Sequence, residues 1–366
     1  MNKLIIIGIL LLISTLFLVS CTERSTNESL KMGAILPLSG PAAIHGEQLR
    51  NGMELAREEL LREGIDLKII YEDSEANPSK GIAAYNKLKS IDNVNIIYSA
   101  FSRVTVPLIP LADQDKTPII FSLVAASGVA DKSPYAFRFF STDKQFSEPH
   151  FDKELKKPKY NKIATLYLND EYGNSINKGV IERAERENIL VLIQESFEVG
   201  SSDYRTQLLK IKSTNPDAIV VISAVPSEAI NMMQQIEELN IKTQVFEATT
   251  QLSSKNIRDS LGNSIEGYYT LTYPFILGKT GDDFRKKYIE KYKQDPLFQA
   301  PFGYGTVIMI GKATKGQVMS GSEIRNKILE LKTIDTPNGL VIIQENGEIN
   351  PEIPVAKVVN NQLVEV

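Results

Sequence analysis

The sequence predicts an α/β protein built as two doubly wound parallel-sheet lobes in series. Three observations predict it. Short apolar runs alternate with amphipathic stretches over residues 31–121, in the order strand, helix, strand. The same alternation restarts after residues 140–147. The chain then ends in apolar runs separated by the turn-type pairs Asn346-Gly347 and Asn360-Asn361, which mark antiparallel strands.

The elements follow in order. Residues 31–36 (KMGAIL) form a strand. Leu49, Met53, Ala56, Leu60 and Leu61 recur at spacings of three and four, so 47–62 is a helix. Residues 67–71 are a strand, and Asn77-Pro78-Ser79 opens a helix because proline's missing N–H costs nothing in the first turn. A strand over 94–98, a helix over 104–115 and a strand over 118–121 complete the first series. The second runs as helix 147–155, strand 162–168, helix 175–187, strand 190–195, helix 204–213, strand 217–222, helix 227–239 and strand 243–246. A strand over 267–271 leads to helices over 282–293, 300–315 and 322–331. Residues 340–343, 355–358 and 363–366 are the terminal strands.

The amino terminus carries a separate signal. Lys3 precedes an apolar run from Leu4 to Val19, and Leu18-Val19-Ser20-Cys21 resembles a bacterial lipobox. Residues 1–20 are expected to be a signal peptide and Cys21 the lipidated residue, with 21–30 a polar leash. The alternative is an uncleaved anchor, since the run is about long enough to span a bilayer. Both readings place the body outside the cytoplasm. Cys21 is the only cysteine, so no intramolecular disulfide forms.

About 340 residues remain for the body, enough for two lobes. Hydrophobic content of 42% and charged content of 23% are those of a globular protein, and a net charge of −4 argues against nucleic acid as a partner. There is no P-loop, Gly-x-Ser-x-Gly elbow, His-Glu-x-x-His or paired-cysteine site, so no enzyme activity, cofactor or metal is expected. His45 follows the first strand's loop and could face a cleft, but both it and His150 read as ordinary surface or loop residues rather than ligands or bases. Gly303-Tyr304-Gly305 lacks a leading strand, and its glycines read as close-packing positions. Residues 153–159 form a charged, solvated stretch.

Several segments together resemble the solute-binding proteins of branched-chain amino acid and amide ABC transporters. They are Gly33-Ala34-Ile35-Leu36-Pro37-Leu38-Ser39-Gly40-Pro41, Asn51-Gly52-Met53-Glu54-Leu55-Ala56, Tyr71-Glu72-Asp73-Ser74 with Asn77-Pro78, Tyr135-Ala136-Phe137-Arg138, Asp170-Glu171-Tyr172-Gly173, and Asn346-Gly347-Glu348. The resemblance spans nearly all of residues 30–366. It implies the type I periplasmic binding protein fold, with three crossover strands joining the lobes. Lobe 1 would hold 31–143 and 275–332, and lobe 2 would hold 144–274 and 333–366. It also implies a small-molecule ligand and an ABC permease as partner. A ligand-sensing receptor module of the same fold is the alternative, and an exported enzyme a third.

The resemblance places ligand contacts at Ser39, Ser102, Arg103, Ser122, Ala125, Ser127, Tyr172, Val225, Glu247 and Thr249. Ser102 follows the third strand, where a hydroxyl beside a helix start suits a carboxylate; the other reading is a plain N-cap. Tyr172 matches a tyrosine that closes over the ligand from lobe 2, or else packs at a helix start. The departures lie at Ala126, beside Ser127, where a threonine is usual, at Thr249 in place of an acidic residue with Glu247 two earlier, at Val225 in place of an aromatic, and at Arg103 in place of a small residue. An ammonium in a desolvated cleft needs a carboxylate, so these departures point away from a free α-amino acid and toward an anion paired by Arg103.

Overall fold

Leu30–Leu36 (β1) is buried along nearly its whole length and pairs in parallel with Leu67–Asp73 (β2) on one side and Ile96–Ala100 (β3) on the other. The computed structural model describes residues 29–126 and 128–366. Ile119–Ser122 (β4) and Ala136–Arg138 (β5) extend the sheet to the order β2-β1-β3-β4-β5, all parallel. Strands buried on both faces need helices above and below, which is why β1, β3 and β4 read as largely apolar runs rather than alternating ones.

Helix Ala43–Arg62 (α1) covers one face and Pro78–Ser90 (α2) the other connection. Asn77 caps α2 by accepting from Ser79 N and Lys80 N, with proline at the first helical position. The expected helix over 104–115 is broken. Ser102–Thr105 (α3), a 3₁₀ turn over 106–108 and Ile109–Gln114 (α4) replace it. Pro107 and Pro110 lack the N–H groups a continuous α-helix needs there.

The second series begins with Asp143–His150 (α5), whose Thr142 and Gln145 form a capping box. This start precedes the expected one because the cap overrides the apolar spacing. Pro149 lies inside the helix, and a π-helical turn, Phe151–Leu155, follows it. Then come Lys162–Leu168 (β6), Glu171–Arg186 (α6), Leu190–Phe197 (β7), Arg205–Thr214 (α7), Ala218–Ile222 (β8), Pro226–Glu238 (α8), Gln244–Glu247 (β9), Lys255–Leu261 (α9) and Tyr269–Leu271 (β10). Asp282–Tyr292 (α10), Gln299–Thr314 (α11) and Gly321–Leu331 (α12) follow. The last elements are Thr333–Thr336 (β11), Gly339–Ile342 (β12), Val355–Val359 (β13) and Gln362–Glu365 (β14).

The second sheet has the order β14-β13-β10-β9-β8-β6-β7. Its strands β10 to β7 are parallel, whereas β13 pairs antiparallel with β10 and β14. Asn360 and Asn361 both take positive φ, 49° and 61°, at the β13–β14 turn, the conformation a two-residue hairpin loop requires. The strand expected at 340–343 does not join this sheet. It pairs with β11 as a separate two-stranded hairpin.

The chain passes between the sheets three times, over 139–142, 272–281 and 343–354, and these passages touch. Arg138 forks onto Glu348 through Nε–Oε2 (2.8 Å) and Nη2–Oε1 (2.5 Å), while its Nη1 donates to the carbonyls of Ala125 and Ala126. One buried guanidinium thus ties the loop after β4 to the third passage. Phe140 of the first passage meets Tyr273 of the second and Phe302 of α11. Helices α1 and α11 cross closely because Gly52 and Gly303 leave room: a Cβ on either would overlap a carbonyl of the facing helix, Ala300 or Leu49.

Candidate functional site

Both sheets direct the carboxyl ends of their strands toward one cleft, where ligands of open α/β sheets bind. Phe101 follows β3, Leu123 follows β4, Tyr172 follows β6, Ala224 follows β8, and Thr250 and Gln251 follow β9. Together with His45 of α1, Phe140 and Phe298, they enclose a chamber of about 20 Å³. That volume holds about one water molecule. A wider groove of about 750 Å³, in the range of small-molecule sites, adjoins it and shares His45, Thr250, Gln251 and Phe298.

The loop backbone carries a mark of this site. Phe101 has φ +71° and Leu123 has φ +58°. Bulky residues avoid this left-handed region, and such outliers gather where a binding surface is held in shape. Both residues line the chamber.

Ser102 begins α3, is buried to 1% exposure, and its Oγ has no hydrogen-bond partner among the described residues. The N-cap reading fails, because Phe101 occupies that position and no side chain caps the helix. Ser122 faces away into the sheet, where its hydroxyl meets that of Tyr98. Ala125 contributes backbone: its carbonyl accepts from Arg138 and from Asp143 N. Ser39 is exposed and donates to Asp73 at 2.6 Å. Ser127 and Cys21 lie outside the described residues. Tyr172 is half-buried with its ring edge-on to Phe146 (centroids 6.1 Å), and burial raises its hydroxyl well above the ordinary range. Val225 precedes α8 and packs in the core, while its neighbour Ala224 lines the chamber.

Arg103 does not wait for a ligand. Its Nη1 lies 3.0 Å from Asp170 Oδ2, and its Nε donates to Ala76 O at 2.9 Å. The two side chains are 11% and 7% exposed. Asp170 also caps α6 through Gly173 N, so the pair joins α3 of the first sheet's layer to α6 of the second. Burial raises the Asp170 carboxyl above its ordinary value, and Arg103 opposes the rise.

Glu247 is equally committed. It is fully buried and accepts from the hydroxyls of Thr249 and Thr270 and from Gln251 N (3.0 Å) and Leu252 N (3.3 Å). Burial raises its pKa against these four donors. Its work is to shape the 248–253 turn, and Thr249 serves it rather than the cleft. Glu228, also raised by burial, is spent on Ala224 N and Val225 N. Among the described residues no carboxylate lines the chamber.

The histidines correct the expectation of surface residues. His45 is 2% exposed, sits edge-on to Phe101, and takes a hydrogen bond at Nδ1 from the Gln299 amide. Burial lowers its pKa to about 4, partly offset by the Ala224 backbone across the cleft. Among the described residues its Nε2 meets no partner at hydrogen-bonding geometry, nor does Gln299 Oε1. His150 is 1% exposed, donates to Glu247 O at 2.8 Å, and its pKa is likewise lowered to about 4 by burial. Gln299, Thr250 and Gln251 were missed by sequence reasoning, and His45 was set aside as a loop residue. The signal available for His45 was its place just past the first strand's loop.

No helix among the described residues is long and apolar enough to cross a membrane. The chain is 24% identical over 288 residues to the Leu/Ile/Val-binding protein homolog 7 of Brucella suis, covering 73% of this chain and 72% of the relative. An R. palustris ABC-transporter solute-binding protein in complex with benzoate superposes with a TM-score of 0.82 at 18% identity, over 93% of this chain and 96% of its own. The branched-chain amino acid binding protein of Streptococcus pneumoniae, in complex with isoleucine, gives 0.79 at 18% identity, over 93% and 100%. With the periplasmic binding protein family model matching residues 29–362, two lobes, three connections and a cleft at the strand ends, this chain belongs to that family.

Proposed function

We propose that the chain is the solute-capture component of an ABC importer, holding a small organic solute between its lobes and presenting the closed form to a membrane permease. The observation that carries this reading is the cleft. Loops from β3, β4, β6, β8 and β9 converge on it, and buried polar atoms, His45 Nε2 in its lining and Ser102 Oγ beside the lining residue Phe101, form no hydrogen bond among the described residues. Buried polar groups are normally paired, and a bound solute supplies the partners. A ligand bridging both lobes favours the closed arrangement by the difference of its affinities for closed and open forms. The missing catalytic constellations support binding without turnover.

The benzoate and isoleucine complexes of the two structural neighbours support an amino acid, amide or carboxylate as the solute class. Cys21 would carry the lipid that holds the body at the outer side of a membrane, near its permease; a Cys21→Ala chain is expected in the soluble extracellular fraction. A thermal-shift screen of amino acids, amides and carboxylates tests the reading. A solute that binds the folded state raises the melting temperature by mass action. Silence across a broad solute screen, or turnover of a bound solute, refutes it.

A further inference from the structure

The groove beside the chamber holds a buried arginine that makes no ion pair among the described residues, although the carboxylate of Asp259 acts on it from the adjacent position in the sequence. Arg258 of α9 is 6% exposed and lines the groove. Its Nη1 donates to the carbonyls of Leu252 and Ser253 (both 2.8 Å), and its Nε donates to Asn361 O at 3.2 Å. Its Nη2 makes no hydrogen bond among the described residues, and none of their carboxylates lies within ion-pair distance. The other charges of the groove are spent: Arg285 pairs with Asp295 at 2.9 Å, and Lys255 with Asp259 at 2.6 Å. A buried charge without an ion-pair partner is costly, and the two N–H groups of Nη2 remain to donate a charge-assisted hydrogen bond to a carboxylate oxygen.

Across the groove, on the side of α1 and α11, stand the two unpartnered groups already met, His45 Nε2 and Gln299 Oε1. One donates and one accepts, provided Nδ1 takes the Gln299 bond. We propose that the groove is an anion subsite: Arg258 takes the solute's carboxylate from lobe 2, while the rest of the solute reaches toward His45, Gln299 and Phe298 at the chamber mouth. This rests on the capture reading and names its ligand class, small organic carboxylates. It also transfers the anion-pairing role that the sequence suggested for Arg103, which Asp170 occupies, to Arg258.

Two matched acid–amide pairs test it: benzoate with benzamide, and isovalerate with isovaleramide, by calorimetry and thermal shift on the wild-type, Arg258→Lys and Arg258→Gln chains. The expected result is binding of at least one acid and a much weaker response to its amide. Arg258→Gln then weakens acid binding by roughly 30-fold or more without weakening the amide, the loss typical of removing one partner of a buried charge pair. Arg258→Lys keeps part of it. A merely structural arginine would weaken acid and amide alike. If Arg258→Gln fails to fold, the wild-type acid–amide contrast and the lysine variant decide. Amides binding as well as acids, an undiminished acid affinity in Arg258→Gln, or silence from both acids at millimolar concentration each overturns the proposal. A solute of another class found in the broad screen leaves the capture reading standing.

Discussion

Breaking the Arg103–Asp170 pair should open the protein. At 3.0 Å the two charges attract by about 5 kcal/mol at an effective dielectric near 20, most of which desolvation cancels. The informative quantity is the penalty for leaving one of them alone. Both side chains are about nine-tenths buried in the closed form, and each regains water when the lobes part. Arg103→Ala therefore strands the Asp170 carboxylate in the closed form only, a cost of about 3–5 kcal/mol. At about 1.4 kcal/mol per decade, the closing equilibrium shifts by roughly 10²–10³ toward open. Asp170→Asn in the same chain removes the stranded charge, and asparagine still accepts at the helix N-cap. The double variant should then close nearly as well as the wild type. The assay is inter-lobe fluorescence energy transfer on surface-labelled, ligand-free protein, arranged as a double-mutant cycle. Acid should also rescue the single variant. Asp170's pKa is already raised by burial and rises further without Arg103, so the closed form takes up a proton as pH falls. Additive effects across the cycle, or a double variant as open as Arg103→Ala, would refute the latch. A loss of binding confined to anionic solutes would instead restore Arg103 as a ligand contact.

Three further outcomes are expected. Glu247→Gln should lower stability by about 1–3 kcal/mol in chemical denaturation, because a carboxylate that satisfies four donors is replaced by an amide that cannot. The same variant should not selectively impair amine-bearing solutes. Gly52→Ala should destabilise by several kcal/mol, since its Cβ would meet the Ala300 carbonyl where α1 and α11 cross; a change below about 1 kcal/mol would show that the helices part easily. Stability should fall as pH drops from about 6.5 toward 4. His45 and His150 stay neutral in the fold down to about 4, whereas the unfolded chain takes up protons on both below about 6.5. The raised carboxylates Asp170, Glu228 and Glu247 act in the opposite sense, and His150→Gln should make the slope shallower.

The fold was legible because burial writes itself into apolar runs. β6 and β8 sit where unbroken hydrophobic stretches placed them, and the asparagine pair at 360–361 announced its turn. The misreadings have local causes. Two prolines split the 104–115 segment although its apolar spacing is helical. The strand expected at 340–343 formed, antiparallel, but its partner 333–336 went unread, because it shows only a polar alternation with Ile334 buried. The site was harder to read. Which strand ends converge follows from topology, and of the residues expected there Tyr172 lines the chamber while Ser102 lies beside the lining residue Phe101. Whether a polar side chain is free or spent is decided by neighbours far along the chain. Glu247 looked available until Thr270 was seen to hold it, and Arg103 until Asp170 did. His45 looked incidental because Gln299, its partner, lies 254 residues away. Arg258 shows no sequence signal at all, since the role proposed for it rests on its burial and on its forming no ion pair among the described residues.

The central claim is that two lobes close on a solute held in the cleft. Small-angle scattering, titrated with the best solute from the thermal screen, measures it most directly. The account predicts that the radius of gyration moves to that of a more compact particle along the same saturation curve as the thermal shift, and that Arg103→Ala begins more open and still compacts at higher solute concentration. A solute that binds tightly while the scattering of wild type and variant stays unchanged and identical would contradict it.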